Sequence, residues 1–291
     1  MDMSVVHGSV VVGVDGSAAS GAALDWAVRF ATLESRPLTV VHACGLPGTM
    51  AGFEGAETAE REMLTVGRSL AREAERAARS AAPGVVSTIV VMGSPGTVLV
   101  EASETAAAVV VGARGRGAVA SALLGSVSGQ VAREAHCPVV VARSDARADR
   151  GPVLVGVDGT PASAAAVEFG FHQAAARAAL LTVLHVSTQL RDRSSSALDT
   201  MSYAERIELS DVQERMVAET VAGLVEKYPD VAVTEVYRRG DAARRLVEAS
   251  RDASLVVVGS RGRRLLSSTL LGSVSRVVVE RAECPVAVVR P

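Results

Sequence analysis

Two glycine-rich stretches hold the residues of this chain that could bind an anionic ligand. Residues 111–128 read VGARGRGAVASALLGSVS, and residues 258–275 read VGSRGRRLLSSTLLGSVS. Both follow the spacing G-x2-G-x9-G-S. A glycine-rich loop that leads into the first turn of a helix surrounds an anion with main-chain N–H groups. The spacing therefore predicts a phosphate-binding loop that occurs twice.

The loop differs from the common nucleotide-binding motifs. No lysine stands where G-x4-G-K-[ST] needs one, and the second glycine comes too late for G-x-G-x-x-G. We therefore expect main-chain amides, Arg114, Arg261 and a metal ion to balance the charge of a polyphosphate. Hydrogen bonds to a charged group contribute about 1.5–3 kcal/mol each. Several of them, less the ordering cost, reach the roughly −8 kcal/mol of micromolar binding.

The two loops occupy matching places because the second half of the sequence repeats the first half. VVVGVDGSAAS at 10–20 matches VLVGVDGTPAS at 153–163, and CPVVVAR at 137–143 matches CPVAVVR at 284–290. Other matched segments keep the same order in both halves, which indicates a duplication. We predict domains at residues 1–146 and 150–291, joined by a polar linker that ends in Gly-Pro.

Short valine-rich runs alternate with helical patterns in each half. Such nearly continuous apolar runs are typical of parallel strands that are covered on both faces. The predicted fold class is therefore α/β: two tandem, Rossmann-like, doubly wound domains, each a five-stranded parallel sheet flanked by helices. The predicted strands are 10–14, 38–43, 87–92, 107–111 and 139–142, then 153–157, 181–186, 232–238, 255–258 and 286–289.

The glycine loop follows the fourth strand of each half, where doubly wound sheets bind their ligands. We expect Gly112 to be the first residue beyond that strand. Glycine there would permit a positive φ and close approach of a ligand. Gly125 and Ser126 then open a predicted helix over 127–135. Ser17 and Thr160 are predicted to cap the helix after the first strand of each half.

Composition excludes several classes of function. The net charge is −2, which argues against a general binder of nucleic acids or anionic membranes. The first residues do not follow the pattern of a secretory signal, and no apolar run is long enough to span a membrane. Cys44, Cys137 and Cys284 form no C-x-x-C pair, so we expect reduced thiols and a cytoplasmic protein.

The glycine spacing resembles that of the universal stress protein family when it is combined with V-G-V-D-G-[ST] at the first strand and C-P-V at the fifth. The resemblance covers nearly the whole chain, twice over. It is to tandem proteins of the ATP-binding subgroup common in actinobacteria, which implies an adenine nucleotide alpha hydrolase-like fold. It also implies ATP with Mg²⁺ as the ligand. Pairing of the fifth strands, which would place 137–142 beside 284–289, and a homodimer are further implications.

The same resemblance implies a role for residues at matching positions. The aspartate after the first strand would contact adenosine, and the end of the second strand would contact adenine through its main chain. The glycine loop and the turn after it would hold ribose and phosphates. The implied first-half residues are Gly13, Val14, Asp15, Val41, His42, Gly112, Ala113, Arg114, Gly115, Arg116, Gly125, Ser126, Val127 and Ser128. The implied second-half residues are Gly156, Val157, Asp158, Leu184, His185, Gly259, Ser260, Arg261, Gly262, Arg263, Gly272, Ser273, Val274 and Ser275.

Three functions stay open at this point. The first is a nucleotide-responsive binding module with one ATP in each half, which an unidentified protein partner could read. The second is a slow ATPase or self-phosphorylating enzyme that uses serines of the loop, although no general base or Walker B-type carboxylate is identifiable. The third is a scaffold with structural nucleotide. We expect structural rather than catalytic histidines at 42 and 185, and the effect of Arg264 at the position of Gly117 is open.

Overall fold

The computed structural model describes residues 4–45, 56–81, 84–115, 124–143, 151–187, 203–261 and 271–291. The chain forms two compact units, Met1–Ser144 and Asp145–Pro291. The described ranges stop at residue 143 and resume at 151. The predicted domain boundaries at 146 and 150 therefore stay a prediction.

The first unit is a five-stranded parallel sheet with helices in the connections. The strand order is β3-β2-β1-β4-β5, so the chain runs outward from β1 on one side and then crosses to β4. A short 3₁₀ turn, Ser4–Val6, precedes the sheet. The elements are β1 Val10–Gly13, α1 Ala18–Leu33, β2 Leu38–Cys44, α2 Ala56–Ala81, β3 Val86–Met92, α3 Pro95–Ala102, β4 Ala108–Gly112, α4 Ser126–Glu134 and β5 Val139–Ala142.

The second unit repeats this plan. Its strand order is β10-β9-β6-β7-β8, again with parallel pairing throughout the described ladders. The elements are β6 Val153–Val157, α5 Pro161–Arg177, β7 Leu181–Ser187, α6 Tyr203–Lys227, β8 Val233–Arg239, α7 Ala242–Ala249, β9 Leu255–Gly259, α8 Ser273–Arg281 and β10 Val286–Val289. The predicted fold class of two tandem doubly wound domains is confirmed, and no strand end moves by more than one residue.

Valine-rich central strands build both cores. Val10, Val11 and Val12 of β1 are fully buried, as are Val256 and Val257 of β9. Each fully buried valine contributes about 1.5–3 kcal/mol relative to an exposed one. A parallel strand that is covered on both faces needs apolar residues at every position, which explains the unbroken runs in the sequence.

The predicted helix caps are present in both halves. The Ser17 hydroxyl accepts a hydrogen bond from the Ser20 amide at 3.1 Å, and the Thr160 hydroxyl accepts one from the Ser163 amide at 3.3 Å. Each cap satisfies one of the amide groups that a helix leaves unpaired at its start. The caps fix where α1 and α5 begin, and with them the turn that follows the first strand of each unit.

None of the helices in the described part of the chain is long and apolar enough to cross a membrane. Cys44, Cys137 and Cys284 are buried thiols. Burial raises the pKa of the Cys44 thiol above its ordinary value, because desolvation disfavours the thiolate.

Candidate functional site

A cavity of about 410 Å³ opens in the first unit at the carboxyl ends of β1, β2 and β4. This is the point where the sheet order changes direction, and the volume is within the range of small-molecule sites. Eleven of the predicted first-half residues line it. They are Gly13, Val14, Asp15, Val41, Gly112, Arg114, Gly115, Gly125, Ser126, Val127 and Ser128.

Asp15 lies in a tight turn at the floor of the cavity. Its Oδ1 accepts a hydrogen bond from the Ser17 amide at 2.9 Å, and Gly16 supplies the left-handed backbone of the turn with φ 76°. The second half repeats the turn. Asp158 Oδ1 accepts from the Thr160 amide at 3.1 Å and from its hydroxyl at 2.7 Å. Both carboxylates are thereby held at the end of their first strand.

Gly115 lies directly against the Asp15 carboxylate. A Cβ atom at Gly115 would stand 2.5 Å from Asp15 Oδ2, too close for any side chain. Residue 115 comes about 100 positions after residue 15, so this contact closes one wall of the cavity. A side chain at position 115 would therefore displace the Asp15 carboxylate.

Gly112 corrects two expectations. It is the last residue of β4 rather than the first residue beyond it, and it is not among the described glycines with positive φ. A Cβ at Gly112 would stand 2.6 Å from the carbonyl carbon and oxygen of Ala19. Gly259 has the same relation to Ala162. Glycine at both positions therefore allows close packing of a helix on a strand.

Gly125 closes the loop and caps α4. Its amide donates to the Ala113 carbonyl at 2.8 Å, and the buried Ser128 hydroxyl lies 3.0 Å from the same carbonyl and 3.1 Å from that of Gly125. The next amides, of Ser126, Val127 and Ser128, have no acceptor within the helix because they are in its first turn. The positive end of the helix dipole adds to them. The start of α4 is therefore suited to an anion.

The second half builds the same turn. The Gly272 amide donates to the Ser260 carbonyl at 2.8 Å, and the Ser275 hydroxyl donates to the Gly259 carbonyl. Gly272 caps α8, and Ser273 and Val274 fill its first turn. Gly156 pairs with Leu184 and Val157 pairs with His185 towards the carboxyl end of β6, and Asp158 follows that strand directly. The predicted second-half residues in the described ranges thus meet at one edge, as their partners do.

The arginines of the loop are only partly described. Arg114 is exposed and lines the cavity, and Arg261 is half-buried. Arg116, Gly262 and Arg263 lie outside the described residues. Within the described ranges, no group of three or more His, Cys, Asp or Glu side chains could hold a metal ion.

His42 and His185 each form a hydrogen bond with a main-chain carbonyl at the end of the first strand of their unit. His42 is not among the residues that line the cavity, although Val41 and Ala43 on either side of it are. Its Nδ1 donates to the Val14 carbonyl at 2.7 Å, and His185 Nδ1 donates to the Val157 carbonyl at 3.0 Å.

The sequence reasoning missed one wall of the cavity. Pro95 and Leu99 at the start of α3 line it, as do Ser20, Ala43, Val111 and Leu124. A signal for α3 was present, because GSPGTVL at 93–99 matches GDAARRL at 240–246 at the same distance from the third strand. The repeat alone gives no contact, so it did not reveal that this turn faces the glycine loop.

Comparison with known proteins agrees with the duplicated plan. A model described as "Universal stress protein family" matches residues 8–143 and again 150–290. Two universal stress proteins of Mycobacterium tuberculosis are 40% and 38% identical to this chain, each over at least 97% of it and 96% of their own length. The crystal structure of a universal stress protein from Archaeoglobus fulgidus is similar with a TM-score of 0.70 at 22% identity. The match covers 97% of this chain and 98% of that one.

Proposed function

Because the chain belongs to the universal stress protein family, we propose that each half binds one adenine nucleotide, ATP with Mg²⁺, and that the protein is a nucleotide-responsive binding module. One observation carries the proposal. A cavity of about 410 Å³ is lined by glycines of the loop, by Asp15 and by the first turn of α4, whose amides have no acceptor within the helix. The amides suit phosphates, and the carboxylate suits the hydroxyls of a sugar.

The cavity has an apolar part that suits a nucleobase. Val41, Ala43, Pro95 and Leu99 give the cavity an apolar lining. Ligand sites of this size combine apolar walls with a few polar groups that fix orientation. A nucleotide lying across the cavity would place its base on the apolar side and its phosphates at the helix, which agrees with the roles implied by the family resemblance.

Magnesium fits such a site without a cluster of protein ligands. Mg²⁺ bound with nucleotides keeps several waters and takes most of its other oxygens from phosphates. We therefore place the ion on the phosphates, beside the exposed Ser126 hydroxyl at the start of α4. The ion and Arg114 would then balance the negative charge of the phosphates that the main-chain amides do not offset.

Nucleotide occupancy is the signal in this proposal. A ligand that binds one conformation better shifts the population toward it, and a partner can read the shift. A homodimer, a cytoplasmic location, an unidentified protein partner and domains at 1–146 and 150–291 belong to the same proposal.

Mass spectrometry of small molecules released on denaturation, together with thermal unfolding, tests the proposal. A ligand specific to the native state stabilises it by about 2.7 kcal/mol at 100 times its Kd. We expect ATP with Mg²⁺ to raise the melting temperature by several degrees and GTP at equal concentration to do so less. Equal shifts with both nucleotides, or none, contradict an adenine site.

A self-phosphorylating enzyme is the second candidate, and Ser126 is the observation that favours it. Ser128 donates to two carbonyls, whereas Ser126 is exposed in the cavity wall. In that reaction the Ser126 hydroxyl oxygen would attack the γ-phosphorus of ATP, the bond to the β,γ-bridging oxygen would break, ADP would leave, and the hydroxyl proton would pass to solvent. Incubation with γ-labelled ATP distinguishes the candidates, because label that is retained on the wild type and lost in Ser126→Ala supports transfer. Stable bound ATP without label supports binding alone.

A further inference from the structure

The same side chain-to-backbone hydrogen bond occurs once in each half. An imidazole near the end of the second strand donates to the carbonyl of the residue that precedes the cavity aspartate. His42 reaches Val14 at 2.7 Å and His185 reaches Val157 at 3.0 Å, and the partners are 28 positions apart in the chain in both halves. A carbonyl can only accept, so the Nδ1 atom of each ring carries the proton.

This hydrogen bond completes a clamp on the last peptide before Asp15. The Val14 amide donates to the Val41 carbonyl at 2.9 Å, and the Val14 carbonyl accepts from His42. Both polar groups of Val14 are therefore tied to consecutive residues of β2. The sheet pairing ends one residue earlier, at Gly13 with Val41. The imidazole thus extends the attachment of β1 to β2 beyond the last ladder pair.

The clamped peptide leads directly into the carboxylate that faces the cavity. Rotation of the Val14–Asp15 peptide would swing the Asp15 side chain, whose Oδ1 is bound to the Ser17 amide and whose Oδ2 lies against Gly115. A carboxylate that must meet a ligand needs a fixed direction, and this is set by the groups behind it.

Core packing alone does not explain why histidine occupies positions 42 and 185. His185 is only 2% exposed, and its Nε2 is buried without a hydrogen-bond partner in the described structure. The His42 ring lies against Gly67 of helix α2. A Cβ at Gly67 would stand 2.7 Å from His42 Cδ2, so a larger residue at 67 would collide with the ring. An apolar residue would fill either place without an unpaired nitrogen. A local rule broken in this way is typical of a functional requirement.

We propose that His42 and His185 are positioning residues, each of which holds the peptide before its aspartate so that Asp15 or Asp158 presents its carboxylate to the ligand of that half. The inference rests on the proposed nucleotide function. It assigns to these rings a role in ligand affinity that they exert without touching the ligand.

Titration calorimetry with ATP and Mg²⁺ on the full chain tests the proposal with a matched pair of variants. His42→Asn keeps an N–H near the position of Nδ1, whereas His42→Gln places its amide near the position of Nε2. Loss of one ligand hydrogen bond to a charged group weakens binding on the order of tenfold or more. We expect His42→Gln to weaken one of two sites by that factor and His42→Asn to stay within about threefold of the wild type. The corresponding changes at His185 should affect the other site.

A purely structural role makes a different prediction. It would lower the melting temperature without ligand and leave the affinity of the folded protein unchanged. In an Asp15→Ala background, His42→Gln should have no further effect on affinity, because the two residues act as a unit. Equal affinity for the Asn and Gln variants, or an additive loss in the double variant, overturns the positioning role. Absence of any binding by the wild type overturns the proposed function instead.

Discussion

Gly115→Ala should displace the Asp15 carboxylate and weaken ligand binding while it leaves the stability of the fold almost unchanged. The added Cβ would stand 2.5 Å from Asp15 Oδ2, whereas ordinary contacts begin near 3.4 Å. Because Gly115 is an exposed loop residue, the carboxylate is the group that moves, by about 1 Å. The neighbouring group is the tip of a side chain rather than backbone, so the free energy of unfolding should change by less than about 0.5 kcal/mol.

Displacement of the Asp15 carboxylate should weaken binding of the nucleotide by the first half. A hydrogen bond to a charged group is worth about 1.5–3 kcal/mol, so loss of one from Asp15 to the ligand corresponds to a roughly 10- to 150-fold rise in Kd. Calorimetry with ATP and Mg²⁺ in an Asp158→Ala background reports on the first half alone. Asp15→Ala itself should weaken binding by a similar factor.

The double variant Asp15→Ala with Gly115→Ala tests whether Gly115 affects binding through Asp15. If Gly115 exists to leave room for Asp15, then adding Gly115→Ala to Asp15→Ala should change Kd little, since the clash is already gone. Wild-type affinity for Gly115→Ala would refute the contact as a determinant of binding. Additive losses would show that Gly115 meets the ligand directly.

Other predictions follow from the same contacts. Gly112→Ala pushes a Cβ to 2.6 Å from the backbone of α1 and should destabilise the fold by about 1–3 kcal/mol in urea unfolding. Its control is Gly21→Ala in α1, where the new Cβ meets nothing within 4 Å and should stabilise by up to about 1 kcal/mol. Ser128→Ala removes a buried hydroxyl that ties the loop and should cost about 1 kcal/mol in the same assay, while Ser126→Ala should cost less than 0.5 kcal/mol. Cys44 should react with iodoacetamide more slowly in the native than in the unfolded protein, as read by peptide mass spectrometry. Burial raises the pKa of its thiol and keeps it protonated.

The strands could be predicted because parallel strands impose a local pattern. Val10–Gly13 and Leu255–Gly259 are apolar at almost every position, so their burial on both faces was visible in the sequence. The caps at Ser17 and Thr160 were visible for the same reason: they depend on neighbours three residues away. Features set by residues that are close in the chain were therefore within reach.

The structural reason for each individual glycine could not be predicted from the sequence. Gly112 and Gly115 belong to one motif, yet the first is fixed by Ala19 of a helix and the second by the Asp15 carboxylate. Both partners come roughly a hundred residues earlier in the chain, and spacing within the motif does not reveal them. The apolar wall that includes Pro95 was missed on the same ground, because only the folded sheet brings α3 to the glycine loop.

Titration of the nucleotide-free full chain with ATP and Mg²⁺ tests the central claim most directly. The account predicts heat that fits two ATP molecules per chain with Kd on the order of micromolar, falling to one when either Asp15 or Asp158 is replaced by alanine. A protein that is free of adenine nucleotide on isolation and gives no binding heat up to about a millimolar ATP, a Kd equivalent to roughly −4 kcal/mol, would contradict it.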